Sequence, residues 1–399
     1  MLRTIIMAVL LVSPFFSGTG ETRPERVGIS SGRLENAFGV VELAVLEGDV
    51  PGAVALVSRS GRVVGIRSYG KAMLTPESRP MKDGTIFDLA SLTKPIAAAT
   101  SIMILVEAGS LRLDDKVSLF IPEFTGKAGA NTDSVLLDRK RGEITIRQLL
   151  THTSGLPAWR LFYTECSSYD EVIGAICSTD LENEPGTMYL YSDLGYMLLG
   201  EIVKRVSSRP LDVFAEEEIF GPLGMENTMF NPPGELWDEC AATEFCSWRG
   251  RVLVGEVHDE NAYVMGGVSG HAGLFSTAED LAIFAHMMLN RGEYGGKRIL
   301  SPLSIDLMVK DQIGNLGDEG LGWFTKSREF SSGGDLISES SYGHTGFTGT
   351  SIWMDPEEEL VMILLTNRVH PTRENSAHIR LRPLFANSVA GAIEKSPTA

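Results

Sequence analysis

A serine and a lysine three residues apart can serve as a nucleophile and its proton acceptor if a helix holds both on one face. The sequence contains that spacing twice. In Ser68-Tyr69-Gly70-Lys71 the preceding run is strand-like and the glycine gives no helical register, so this copy reads as accidental. In Ser91-Leu92-Thr93-Lys94 the continuation Pro95-Ile96-Ala97-Ala98-Ala99 reads as helix, with proline tolerated in the first turn. Side chains at i and i+3 are neighbours there, and the free N–H groups of a helix start point at any developing anion. A serine hydroxyl is a weak nucleophile until a base takes its proton. Lysine can act as that base only when neutral. Lowering its pKa from about 10.4 to about 7 costs roughly 4–5 kcal/mol, which burial and cationic neighbours can supply. A second nucleophile pattern, Gly28-Ile29-Ser30-Ser31-Gly32, matches G-x-S-x-G but lacks the strand its chemistry requires. It reads as a helix cap.

The elements that must position Ser91 and Lys94 follow from periodicity. Ser30-Ser31 caps a helix carrying Leu34, Phe38, Val41, Leu43 and Leu46. Ala53–Val57 and Val63–Ile66 read as strands joined at Ser60-Gly61. From Ser91 to Leu289 the pattern is mostly helical, with a capping box at Thr145-x-x-Gln148, an amphipathic run from Leu194 to Val206, and a helix opening at Thr277-x-x-Asp280. Strand patterns return at Leu321–Thr325, Thr350–Met354 and Leu360–Thr366, and a last helix spans Ser376–Ile393. Lys127–Arg141 and Glu329–Ser341 read as loops. An early hairpin cannot stand alone as a sheet, so it is expected to pair with the late strands. The predicted fold class is α/β (α+β): an antiparallel sheet flanked by N- and C-terminal helices, with an all-helical domain inserted. Residues 21–90 and 295–399 make the discontinuous α/β domain and 91–294 the insert, with a ligand cleft expected between them.

Composition narrows the partners. Across 399 residues, 35 Lys+Arg against 52 Asp+Glu leave a net charge of −17, which opposes a polyanion, so no nucleic-acid partner is expected. Residues 1–20 join a basic start, the apolar run Ile5–Val12 and a small-residue exit, the pattern of a secretory signal. The protein is therefore expected to be exported, to periplasm or exterior, or anchored in the membrane if the segment is retained. No later stretch reads as long and apolar enough to span a bilayer. Export permits disulfides. Either the short loops Cys166–Cys177 and Cys240–Cys246 close, or the four thiols stay free. The seven histidines (His152, His258, His271, His286, His344, His370, His378) form no metal motif, and no phosphate loop is evident, so neither metal nor cofactor is expected. The polar, glycine-rich stretch His258–Gly273 reads as a structural loop.

Three further segments follow Ser91-Leu92-Thr93-Lys94 in order: Leu149 to Leu156 with Thr151-His152-Thr153-Ser154-Gly155, then Tyr191-Ser192-Asp193, then His344-Thr345-Gly346. Pro185-Gly186-Thr187 and Gly221-Pro222-Leu223-Gly224-Met225 accompany them. Together these resemble the serine β-lactamase and penicillin-binding protein superfamily, nearest the class C β-lactamase-related branch with its D-alanyl-D-alanine carboxypeptidases and esterases. The resemblance implies the β-lactamase/transpeptidase-like fold and a catalytic Ser91 that becomes acylated. Lys94 and Tyr191 would share the proton traffic, the base between them left open. The Ser91 and Phe347 N–H groups would form the oxyanion hole, and Asp193, His344, Thr345 and Gly346 would bind substrate. With an ordinary pKa near 6.5, His344 would lose its charge and its carboxylate preference above neutrality. Asp193 stands where Asn is commoner; a carboxylate only accepts hydrogen bonds, and it could hold Lys94 protonated and move the base role to Tyr191. The expected function is a serine hydrolase, a D-Ala-D-Ala carboxypeptidase-like enzyme on small-molecule or peptidoglycan-peptide substrates, with β-lactams as candidate covalent ligands. A carboxylesterase or weak class C-type β-lactamase, or a non-catalytic envelope ligand-binding protein, are the alternatives.

Overall fold

The computed structural model describes residues 21–125, 140–327 and 330–395. The expected signal segment 1–20, Glu329 and most of the Lys127–Arg141 loop lie outside them.

Helix α1 (Ser31–Leu46) leads into β1 (Gly52–Arg59), β2 (Arg62–Met73) and the short β3 (Arg79–Pro80). The β1–β2 turn puts Ser60 and Gly61 at φ 50° and 71°, a left-handed pair that a glycine accommodates. The late strands are β4 (Phe324–Thr325), β5 (Tyr342–Thr345), β6 (Ser351–Asp355) and β7 (Leu360–Thr366). All seven form one antiparallel sheet in the order β4-β5-β6-β7-β1-β2-β3, closed by β1 against β7 from Ala53↔Thr366 to Arg59↔Leu360. The early hairpin therefore pairs with the late strands as the pattern predicts.

Period-two alternation divides the interior. Ala53, Ala55 and Val57 with Leu360, Met362 and Leu364 join α1 and the last helix, α5 (His378–Ala390), in one core. Val54 and Leu56 with Val361, Ile363 and Leu365 face the other core, shared with α4 (Ala278–Leu289) and the helical block. Both faces are covered, which is why β1 and β7 read as continuous apolar runs. In the helical block, α2 (Thr100–Glu107) continues the nucleophile helix, and α3 (Asp193–Ser207) packs against it.

Four expectations change. Tyr342–Thr345 forms a strand although its glycine, histidine and threonine give no strand signal. The Leu321–Thr325 run shrinks to Phe324–Thr325, because Gly322 at φ 85° turns the chain. The insert is not all helical. Its Met229–Phe230 and Leu274–Ser276 form a small sheet with Phe87–Asp88, which lies just before it in the chain, and Phe245–Cys246 pairs with Arg251–Val252. Finally, Ala90–Glu107 is apolar and long enough to cross a bilayer, at mean hydropathy 1.2, but 78% of it is buried in the protein. It is a core helix. The four cysteines are free, so neither short loop is closed; Cys240 instead donates its thiol to the Leu236 carbonyl at 3.3 Å.

Candidate active site

The nucleophile turn is built from a buried acid. Asp88 is wholly enclosed, with Oδ1 accepting from Ala90 N–H (2.8 Å) and Oδ2 from His258 N–H (2.6 Å). Ala90 lies at φ 48°, a conformation that L-residues adopt only at a cost, so the chain turns sharply just before Ser91. The helix then opens with a 3₁₀ turn (Ala90–Leu92) and continues as a π-helical segment over Lys94–Ala99. Thr100 Oγ1 donates to the Pro95 carbonyl at 2.8 Å. Mid-helix π-turns of this kind frequently mark functional positions.

This start brings Lys94 Nζ to 2.9 Å from Ser91 Oγ. The ammonium also donates to the His271 carbonyl (3.2 Å) and lies 2.7 Å from Asp193 Oδ1. That ion pair is off the hydrogen-bond direction, so Asp193 Oδ1 has no well-aligned donor. Burial pushes the Lys94 pKa down, but the Asp193 carboxylate and the Tyr191 phenol outweigh it and the net shift is upward. The expected neutral lysine is therefore not the resting state. Asp193 holds it protonated, as its acidic side chain suggested.

Tyr191 faces both Lys94 and Ser91, with its ring centroid 4.8 Å from Lys94 Nζ. Burial raises its pKa, the nearby ammonium only partly offsetting this, so the phenol rests protonated. His152 stacks on the Tyr191 ring at 4.2 Å and fixes it. Its Nδ1 accepts from Ser192 N–H (2.9 Å), which leaves the proton on Nε2. Burial holds its pKa well below the ordinary value, so this ring is neutral.

The third segment closes the opposite side. Gly346 passes the nucleophile turn so tightly that a Cβ would sit 2.1 Å from Thr350 Oγ1 and 2.3 Å from the Leu89 carbonyl. Only glycine fits. Thr348 Oγ1 donates to the Asp88 carbonyl (2.7 Å) and Thr350 Oγ1 to that of Leu89 (3.0 Å), tying this loop to the nucleophile turn. Among the described residues the Phe347 N–H meets no acceptor, the condition for a donor kept for an oxyanion. The Phe347 side chain is half exposed and lies under the Arg368 guanidinium at 4.3 Å.

His344 departs from its expected behaviour. It is buried, its ring stacks on Phe324 at 4.2 Å, and Nδ1–H donates to the Thr345 carbonyl at 2.8 Å. Burial first, and Lys94 second, push its pKa down to about 3, so it carries no charge at any physiological pH. Besides Lys94, a second cation near this strand is Arg382 of α5, whose Nη2 donates to the Gly346 and Thr350 carbonyls at 2.8 Å each; burial first, and Arg368 second, lower its pKa to about 9, which leaves it charged at neutral pH. Arg382 and Thr345 line a cavity of about 390 Å³ with Tyr189, Phe324 and Trp353.

Sequence reasoning missed Asp88, His152, the His271 carbonyl and Arg382. Asp88 left one trace, an acid inside the apolar run Phe87–Ala90. His258–Gly273, read as a loop, delivers the carbonyl on Lys94. Among the described residues the one cluster with metal-ligand proximity is Glu244, Cys246 and Glu260. Arg373 occupies it, paired with Glu244 and with Glu260 (2.6 Å).

A Ser–Lys pair between a helical block and an antiparallel sheet, its lysine buried and a tyrosine facing both, defines the class of serine hydrolases with the β-lactamase/transpeptidase fold. The β-lactamase family profile matches residues 33–386, and the chain belongs to that family. It is 37% identical over 376 residues to a Bacillus subtilis (strain 168) protein named N-acetylmuramyl-L-alanine amidase, covering 87% of this chain and 83% of the relative. It is 34% identical over 382 residues to an Escherichia coli (strain K12) protein provisionally named D-alanyl-D-alanine carboxypeptidase, covering 88% and 86%. The fold also resembles that of EstCE1, a hydrolase with promiscuous acyltransferase activity, at TM-score 0.72, 24% identity, 90% of this chain and 99% of the other. The octameric penicillin-binding protein homologue from Pyrococcus abyssi gives TM-score 0.68 at 24% identity, covering 90% and 77%.

Proposed function

We propose that the protein is an exported serine hydrolase that cleaves amide bonds of peptidoglycan-derived peptides through an acyl-enzyme on Ser91. The observation that carries this is Lys94 Nζ placed 2.9 Å from Ser91 Oγ and 2.7 Å from Asp193. Ser91 attacks the substrate carbonyl, and its proton passes to Lys94 as Lys94 gives one to Asp193 Oδ1, the lone pair that lacks a donor. Lysine stays charged throughout, so the cost of holding a neutral lysine amine does not arise. The Ser91 and Phe347 N–H groups receive the oxyanion, each such donor contributing about 3–4 kcal/mol to the transition state. Tyr191, protonated at rest, donates to the leaving nitrogen and is reprotonated by the Lys94–Asp193 pair. Water then repeats the sequence to release the acyl group. Export rests on the sequence pattern of residues 1–20.

A D-Ala-D-Ala carboxypeptidase must hold the terminal carboxylate of its substrate. Thr345 and Arg382 would do so here, since His344 is neutral. A second reading is an amidase acting beside the muramyl group, favoured by the name of the 37% identical relative and by the absence of charge on His344.

The test is covalent labelling. Purified protein is incubated with a labelled penicillin and with a serine-directed phosphonate, and adducts are mapped by mass spectrometry. An adduct on Ser91 that Ser91→Ala lacks supports the mechanism. Folded protein that takes up neither reagent would sink it. Rates on a D-Ala-D-Ala peptide, N-acetylmuramyl-L-alanine, a nitrophenyl ester and a chromogenic cephalosporin then rank the substrates.

A further inference from the structure

Four aromatic rings form a run that the catalytic steps do not use. Trp159 and Tyr163 have centroids 6.2 Å apart, Tyr163 and Trp248 5.0 Å, and Trp248 and Tyr263 5.8 Å. They come from separate segments, two of which are bonded to the reacting centre. Asp193 N–H donates to the Ala158 carbonyl at 2.9 Å, one residue before Trp159. Asn261 Oδ1 accepts from Tyr163 N–H and its Nδ2 donates to the Arg160 carbonyl, both at 2.9 Å. Asp259, two residues earlier, holds His271 Nε2 at 2.9 Å, and the His271 carbonyl accepts from Lys94. The run thus begins beside Asp193 and leads outward.

None of the four rings is buried, and Trp248 and Tyr263 are 46% and 37% exposed. A contiguous aromatic strip left open to solvent marks a binding surface. The strip is also rigid. The Arg249 guanidinium sits 4.1 Å from the Tyr263 centroid and 5.7 Å from that of Trp248. It is itself locked by Glu256 (3.0 Å) and the Val257 carbonyl (2.6 Å). Such preorganisation lowers the ordering cost of binding.

The rim selects the occupant. Arg160, paired with Glu182 at 2.8 Å, and Arg251, paired with Glu256 at 2.6 Å, border the rings. An acyl chain or apolar side chain would favour a dry pocket. An open aromatic strip with a charged border fits a pyranose, whose C–H face lies on a ring while its hydroxyl edge meets the rim. We infer that the Trp159–Tyr163–Trp248–Tyr263 strip binds an N-acetylated amino sugar carried by the substrate next to the scissile acyl group. This rests on the amidase reading, in which the amino sugar adjoins the cleaved bond, and names the portion of that substrate which the strip selects.

The test separates the sugar from the chemistry. In full-length Ser91→Ala protein, tryptophan fluorescence is titrated with N-acetylmuramyl-L-alanyl-D-isoglutamine and with the free dipeptide. The sugar-bearing probe is expected to bind at least tenfold more tightly, with quenching. In Trp248→Ala and in Trp159→Ala the ratio is expected to fall to about threefold or less, with Trp248→Tyr restoring most of it. Circular dichroism melts confirm that each variant is folded. Equal affinities in the parent, binding of neither probe, or a ratio that survives in Trp248→Ala/Tyr263→Ala would overturn the sugar site. Turnover of sugar-free peptides at Ser91 with equal probe affinities would overturn the strip alone; failure of Ser91 labelling would overturn the hydrolase reading instead.

Discussion

Two buried cations show how differently this fold uses the same charge. Arg59, at the end of β1, is fully enclosed. Its Nε donates to the Glu358 carbonyl, Nη1 to those of Val27, Gly28 and Lys395, and Nη2 to the Glu358 carboxylate at 2.5 Å. Lys94 is equally enclosed, yet its partners are a hydroxyl, one carbonyl and a carboxylate that is one-fifth exposed. Arginine cannot release a proton in a protein, and lysine can. Arg59 is thus a fixed clasp joining the two ends of the chain to the sheet. Lys94 is a buried charge that can itself give up a proton, and two of its partners, the Ser91 hydroxyl and the Asp193 carboxylate, can exchange one with it. Burial alone does not mark a site; a cation that can exchange a proton with its neighbours does.

The comparison breaks most visibly in a pair of variants. Lys94→Met is expected to slow acylation by about 10³–10⁴-fold while the protein still unfolds cooperatively. Arg59→Met is expected to leave the acylation rate of the folded fraction unchanged and to lower stability by about 3 kcal/mol, because four carbonyls and a carboxylate lose their donor. Stopped-flow acylation and urea unfolding measure both. If Arg59→Met slowed acylation as much as Lys94→Met, the division between clasp and relay would be wrong.

Asp193→Asn sharpens the contrast. It removes the acceptor of the relay and the main group raising the Lys94 pKa. Acylation near neutrality is expected to fall about tenfold to a hundredfold. The loss is expected to shrink as pH rises, since Lys94, no longer held charged, reaches its neutral form at a lower pH than in the parent. A loss of constant size from pH 6 to 10 would show that Asp193 takes no part in proton transfer.

How much of this was legible in the sequence depended on distance along the chain. Ser91 and Lys94 lie within one helical turn, and the capping box at Thr145 and Gln148 is present as read. The β7 limits match the expected Leu360–Thr366, because an apolar run covered on both faces leaves an unbroken signal. Strand β5 was invisible. Gly343 accepts the Trp353 indole in the space a side chain would fill, and His344 is held by Phe324 rather than by strand propensity. The Asp88 and His271 contributions run through backbone N–H and carbonyl groups, which every residue has and no motif can encode. Electrostatics failed for a related reason. The ordinary pKa of His344 is a property of the free side chain, whereas its enclosure comes from strands and loops far apart in the sequence.

That enclosure yields the smallest expected effect, visible in stability rather than rate. The folded pKa of His344 is about 3, against about 6.5 for an exposed histidine. Above about 6.5 the ring is neutral in both states and its enclosure carries no protonation penalty. As pH falls from about 6.5 towards 3 the unfolded chain binds a proton that the folded protein refuses, so stability is lost. One such group contributes at most about 1.4 kcal/mol per pH unit across that window. His286, held at about 4 by burial and bonded to Ser58 Oγ at 2.7 Å on the same, helical-block face of the sheet, adds a parallel loss. Urea unfolding of His344→Gln and His286→Gln between pH 4 and 7 is expected to show a shallower decline than the parent, each by up to one proton. His344→Gln is further expected to disturb acylation through Phe324 and Tyr191, and His286→Gln to leave it unchanged. An undiminished slope in His344→Gln would mean that the ring takes up its proton while folded, and that the strand beside Tyr191 carries the charge its enclosure argues against.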